Sequence, residues 1–106
     1  MSVTLEVVYD GSSVEVDATI EDYQSTPENP LPVTPDSNVC KIYDAAGTLV
    51  TTSTSGQIVN DGPGLYHFDT PITIGSYAPG KWKVVWTATK SSLPSVGEGF
   101  CAVVPQ

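Results

Sequence analysis

The chain has 106 residues, four lysines, no arginine and 12 acidic side chains, for a formal net charge of −8. That length buries one core without metal or disulfide staples. So few cations argue against nucleic acid as a partner, because phosphate neutralisation needs Lys or Arg in numbers, and against an anionic membrane surface.

Aromatic and β-branched residues recur between glycines and prolines, and helix formers never gather at three-and-four spacing. The composition predicts an all-β chain. The first ten residues have no basic region and no continuous apolar segment, unlike a secretory leader. Met1 is expected to be a true start, with folding in a cytoplasm. No apolar run approaches membrane-spanning length.

In chain order, Val3, Leu5, Val7 and Tyr9 alternate with Ser2, Thr4, Glu6 and Val8. Asp10-Gly11-Ser12 reads as a turn. Val14, Val16, Ala18 and Ile20 then alternate with Glu15, Asp17, Thr19 and Glu21, giving a hairpin with one apolar and one acidic face. From Gln24 to Ser37 the pattern stops, and Pro27, Pro30, Pro32 and Pro35 predict an extended connection. Leu31 and Val33 are its two apolar points. Either they tuck a crossover loop onto the domain edge, or the segment is an arm that docks on a neighbouring subunit.

Val39 to Tyr43 reads as a third strand, with Cys40 and Ile42 on one face and Lys41 and Tyr43 on the other. Asp44-Ala45-Ala46-Gly47 closes a turn, Thr48 to Thr54 is β-prone, and Ile58-Val59 is a short apolar patch. Asn60-Asp61-Gly62-Pro63-Gly64 is the densest turn signal. Leu65 to Thr70 puts Tyr66 and Phe68 opposite His67 and Asp69. After Pro71 to Ala78, Pro79-Gly80 opens the strongest strand, where Trp82, Val84, Trp86 and Ala88 alternate with Lys81, Lys83, Val85 and Thr87. A buried aromatic hides about 150–250 Å², so the tryptophan face is expected to anchor the core. A loop over Lys90 to Ser95 and a last strand from Gly97 to Val104 complete the chain. Seven to eight short strands in one domain spanning 1–106 predict an immunoglobulin-like antiparallel β-sandwich.

Catalytic chemistry finds no footing. A nucleophile needs a base within reach, and His67, the only histidine, has no nucleophile elbow or Cys-His surroundings in the sequence. His67 and Asp69 share a face, but zinc needs three or four ligands. The acidic hairpin lacks a calcium loop, and Gly62-Pro63-Gly64 lies between strands rather than before a helix. No catalytic residue, cofactor or metal is expected. Cys40 and Cys101 are expected to be thiols rather than a bridge, since alternation sets Cys101 opposite Phe100, Ala102 and Val104. Lys81 and Lys83, with Lys90 nearby, form a basic spot on an acidic chain. They either steer docking or guard a strand edge.

The segments Val39-Cys40-Lys41-Ile42-Tyr43-Asp44-Ala45-Ala46-Gly47, Asp61-Gly62-Pro63-Gly64-Leu65-Tyr66-His67-Phe68, Pro79-Gly80-Lys81-Trp82-Lys83-Val84-Val85-Trp86 and Gly97-Glu98-Gly99-Phe100 resemble the small immunoglobulin-like structural proteins of tailed bacteriophages. The resemblance covers about Val14 to Val104, with Val3 to Tyr9 as an extra strand ahead of the usual first one. It implies a non-enzymatic virion protein assembled in the host cytoplasm, as capsid decoration or cement. Its partners would be the major capsid protein or head-tail proteins, or further copies of itself. A neck or tail component, or a glycan or host-surface binding module, are the alternatives. Leu31, Val33, Lys81, Lys83 and Val85 are the expected contact residues, apolar at the centre and charged at the rim.

Overall fold

A computed structural model of the chain describes residues 1–53, 55–72 and 75–104. The end of the expected 48–54 strand and the middle of the 71–78 segment lie outside the described residues. Eight strands are formed: β1 (Ser2–Tyr9), β2 (Ser13–Glu21), β3 (Ser37–Tyr43), β4 (Leu49–Thr52), β5 (Val59–Gly62), β6 (Leu65–Pro71), β7 (Gly80–Lys90) and β8 (Leu93–Val103). They make two antiparallel sheets, ordered β1-β2-β6-β5 and β4-β3-β7-β8. This is the immunoglobulin strand order, with β4 added to the three-stranded sheet. The surplus strand is therefore β4, and β1 is the ordinary first strand rather than an extra one.

The period-two patterns fill the space between the sheets. Val14, Val16, Ala18 and Ile20 of β2, Tyr66 and Phe68 of β6, Cys40 and Ile42 of β3, and Trp82, Val84, Trp86 and Ala88 of β7 form one buried core. Both tryptophans are essentially inaccessible, and burying each contributes roughly 4–6 kcal/mol before side-chain entropy is counted. Their polar ends are satisfied. Trp86 Nε1–H donates to Asn38 Oδ1 at 2.9 Å, and Trp82 Nε1–H to the Ala78 carbonyl at 2.8 Å.

Two turns set the register. Asp10 accepts from the backbone N–H groups of Ser12 and Ser13, which hold its carboxyl down at about 2. Asp44 is buried and accepts from the N–H groups of Ala46, Thr48 and Ala78. Burial opposes its charge, but those donors win and hold its carboxyl below the usual range. It thereby fastens the β3–β4 turn to the chain entering β7.

Two boundaries and the phase of one strand differ from the sequence pattern. Asn60, Asp61 and Gly62 belong to β5, an irregular strand with a register shift, so the turn is only Pro63-Gly64. β8 begins at Leu93, not Gly97, because Ser91 and Ser92 adopt positive φ (52° and 64°) and make a two-residue hairpin without Asn or Gly. Pro94 is tolerated because β8 is an edge strand. Within β8, Gly97 and Val103 are buried and Cys101 packs against the core, while Phe100 and Ala102 face out, and Val104 just past the strand is exposed. Cys101 is thus on the inward side, contrary to the expected phase.

The reason is a close seam between the sheets. A Cβ at Gly97 would lie 2.5 Å from the Val3 carbonyl oxygen, and one at Gly99 2.6 Å from Val7 Cγ2. The two glycines let β1 lie directly on β8 and close one flank of the sandwich.

The proline segment is fastened at several points. Asp22 N–H donates to the Leu31 carbonyl, Val33 N–H to Ile20, and Asp36 N–H to Thr89. Pro35 is buried, Leu31 is half-buried and Val33 packs against the core. In this chain the segment has the form of a crossover loop lying on one end of the sandwich.

Candidate functional site

Each sheet turns one face outward, and the ladders decide what those faces carry. On the β4-β3-β7-β8 sheet, Lys41 pairs with Val85 and Thr52, Tyr43 with Lys83, Val85 with Glu98, and Lys83 with Phe100. Lys81 pairs with Ala102 and Thr87 with Val96. Three of the chain's four lysines therefore share this face, among Tyr43, Val85, Val96 and Phe100. Glu98 is its one carboxylate among these ladder pairs. We call it the lysine face.

The lysines are held loosely. Lys81 Nζ sits 4.2 Å from the centre of the Phe100 ring, a cation–π contact. Lys83 Nζ lies 3.4 Å from Glu98 Oε1, with both side chains about half exposed, so the pair contributes little and is free to exchange. Strand β7 runs between β3 and β8, so its lysines do not guard an edge; that alternative is removed by the topology. Lys90 has the inward parity of Trp86 and Ala88, and its Nζ donates to the Thr34 carbonyl at the end of the sandwich. It does not belong to the lysine face.

The other sheet is the opposite in charge. Glu6 pairs with Asp17, and Glu15 with Asp69. Asp17 also pairs with His67, whose Nδ1 lies 2.6 Å from Asp61 Oδ2 and whose Nε2 lies 4.0 Å from Asp69 Oδ2. The hydrogen bond to Asp61 raises the His67 pKa; slight desolvation opposes it, and the charges of Asp61, Asp69 and Asp17 add to it. Among the described residues no group of three or more His, Cys, Asp or Glu side chains is placed to hold a metal.

Both cysteines are free thiols. Burial pushes Cys40 up to about 12 and also raises Cys101, so neither offers thiolate. They sit on β3 and β8, away from the β2 and β7 positions that an immunoglobulin bridge joins.

The expected contact residues fall into two separate places. Lys81, Lys83 and Val85 lie on the lysine face. Leu31 and Val33 lie on the loop that meets β7 at Thr89, about 26 Å along the strand from Lys81. Lys41, Tyr43, Glu98 and Phe100 join the first set through pairing across strands, which spacing along the chain does not reveal.

No protein-family model matches the chain, and no curated protein is significantly similar to it. Among solved structures, the chain is similar to part of chitinase ChiW from Paenibacillus sp. strain FPU-7, described as a bacterial cell-surface-expressed multi-modular enzyme machinery. The TM-score is 0.62 at 16% identity, with the whole of this chain covered. This chain spans 9% of that chain's length. The likeness speaks to the β-sandwich fold alone.

Proposed function

We propose that this chain is a non-enzymatic structural protein of a tailed-bacteriophage virion, assembled in the host cytoplasm and docking on the capsid surface as a decoration or cement protein. One observation carries the docking role: in a chain of net charge −8, Lys41, Lys81 and Lys83 gather on one flat face with Tyr43, Val85 and Phe100. Exposed aromatic and aliphatic area interleaved with charge can supply both apolar contact and charge pairing to a protein partner. The virion assignment draws on the turn and core motifs quoted above. The partner would be the major capsid protein, or head-tail proteins if the chain is instead a neck or tail component.

Mass spectrometry of phage particles purified by density gradient tests this. The chain should be present in fixed ratio to the major capsid protein, and many copies per particle would separate decoration from neck or tail. Its absence from particles would overturn the reading.

A second reading, a glycan or host-surface binding module, draws on the likeness to part of a multi-modular chitinase. Such modules stack sugars on exposed aromatics. Here Trp82 and Trp86 are 1% and 0% exposed, which favours the structural reading. Retention on chitin or peptidoglycan beads by the wild type would reverse that preference.

A further inference from the structure

We propose that the lysine face of one copy docks on the carboxylate face of a second copy, so that the chain stacks on itself back to front. The charges are complementary. Lys83 and Lys41 stand on adjacent strands, and Lys81 stands two residues along β7. Glu15–Asp69 and Glu6–Asp17 are direct partners across adjacent strands on the other side. The carboxylate pairs stand about 4.8 Å apart across their strands, whereas Lys41 pairs with Val85 and Lys83 with Tyr43, so the lysines run diagonally over adjacent strands and each can meet a different carboxylate.

Each face also leaves apolar area uncovered. Leu49, Val96 and Phe100 are 47%, 57% and 47% exposed on the lysine side, and Val8, Val59 and Leu65 are 46%, 47% and 44% exposed on the carboxylate side. The molecule measures 42 × 28 × 21 Å, so the outline of its broad side leaves room for the about 800 Å² per partner of a stable interface. The carboxylate face already holds a basic side chain of its own, since His67 lies 2.6 Å from Asp61 and 4.0 Å from Asp69.

Because the two faces lie on opposite sides of one sandwich, the contact is heterologous. It propagates as a stack or closes as a ring rather than ending at a two-fold dimer. Two copies of charge −8 repel at long range, whereas the docked pairs act at contact. The Debye length is about 30 Å at 0.01 M salt and about 8 Å at 0.15 M. Association should therefore peak near physiological ionic strength and weaken both at very low salt and near 1 M.

The test uses sedimentation velocity on the whole chain over roughly a hundredfold range of concentration. Wild type should shift to larger species. K81E/K83E, which leaves two acidic faces, should stay monomeric, and so should E15K/D17K, which offers lysine on both. Mixing the two variants should restore association. All four side chains changed are exposed, and circular dichroism with thermal unfolding checks that each variant keeps the fold. The milder K81Q/K83Q should weaken association at least several-fold. A wild type that stays monomeric at every salt concentration, or a K81E/K83E variant that associates unchanged, overturns the proposal. The inference rests on the lysine face being a docking surface, not on the virion assignment. If the chain is found in particles yet the purified protein is monomeric, self-stacking fails and the virion reading stands.

Discussion

The two outer faces are built by the same rule and come out opposite. Both are the solvent half of a period-two pattern whose other half fills a shared core. On β1, β2 and β6 the outward positions went to carboxylates, several directly opposite one another. On β3, β7 and β8 they went to lysine with tyrosine, valine and phenylalanine. Like charges directly across a ladder are destabilising, so the carboxylate face carries a local cost that the lysine face does not. The core constrains only inward residues. The outer faces are set by something else, and opposite faces on one small domain suit contact on both sides.

Both faces depend on the core that they share, and its loss has the largest effect. Trp86→Ala should cost about 3–5 kcal/mol, because it leaves a large cavity and strands the Asn38 amide. Urea unfolding measures it, and a loss under about 1 kcal/mol would mean Trp86 is not the anchor described. Next comes Asp44→Ala, which removes the acceptor for three backbone N–H groups. The unfolding midpoint should fall by roughly 5 °C or more, whereas Asp44→Asn should recover part of the loss.

Smaller changes sharpen the contrast between the faces. Asp69→Asn and Glu15→Gln relieve the facing carboxylates and should each raise stability by about 0.2–1 kcal/mol at low salt, less as salt increases. K81E/K83E should leave stability within about 0.5–1 kcal/mol of wild type while abolishing docking, since the Lys83–Glu98 pair is exposed. Equal loss of folding and docking would show that the lysine face is structural. The smallest effect is the pH response of His67. Its folded pKa is raised, so its contribution is fully present below about 6.5 and is lost as pH rises through the folded value. Thermal midpoints should rise modestly on going from pH 8 to pH 6, about 6 being where His is largely charged, and His67→Gln should flatten the trend.

Much of this is legible in the sequence. Strict alternation placed the β1–β2 hairpin, the inward tryptophans and the outward Lys81, Lys83 and Val85, because a strand's faces follow from parity alone. Boundaries were less legible where local chemistry misleads. Asn60-Asp61-Gly62 carries turn residues yet pairs with β6, and Ser91-Ser92 makes a tight hairpin without the usual residues. The full lysine face was not legible at all. Lys41 and Phe100 reach Lys83 and Lys81 only once β3 and β8 flank β7, and pairing between distant strands leaves no mark in spacing. Nor does the Gly97-Glu98-Gly99 segment say which strand lies upon it.

That bare stretch of β8 also has a mechanical consequence. Val3 lies by Gly97, Val7 by Gly99, and the Tyr9 hydroxyl reaches the Val104 carbonyl, so β1 runs alongside β8 in the same direction. Met1 sits at one end of this seam and Val104 at the other, about 25 Å away along the strand. A pull between those two ends slides β1 past β8 along its whole length instead of peeling it residue by residue. Every contact along the seam, and every β1–β2 hydrogen bond, then resists at once, which is the loading geometry that makes a small sandwich hard to pull open.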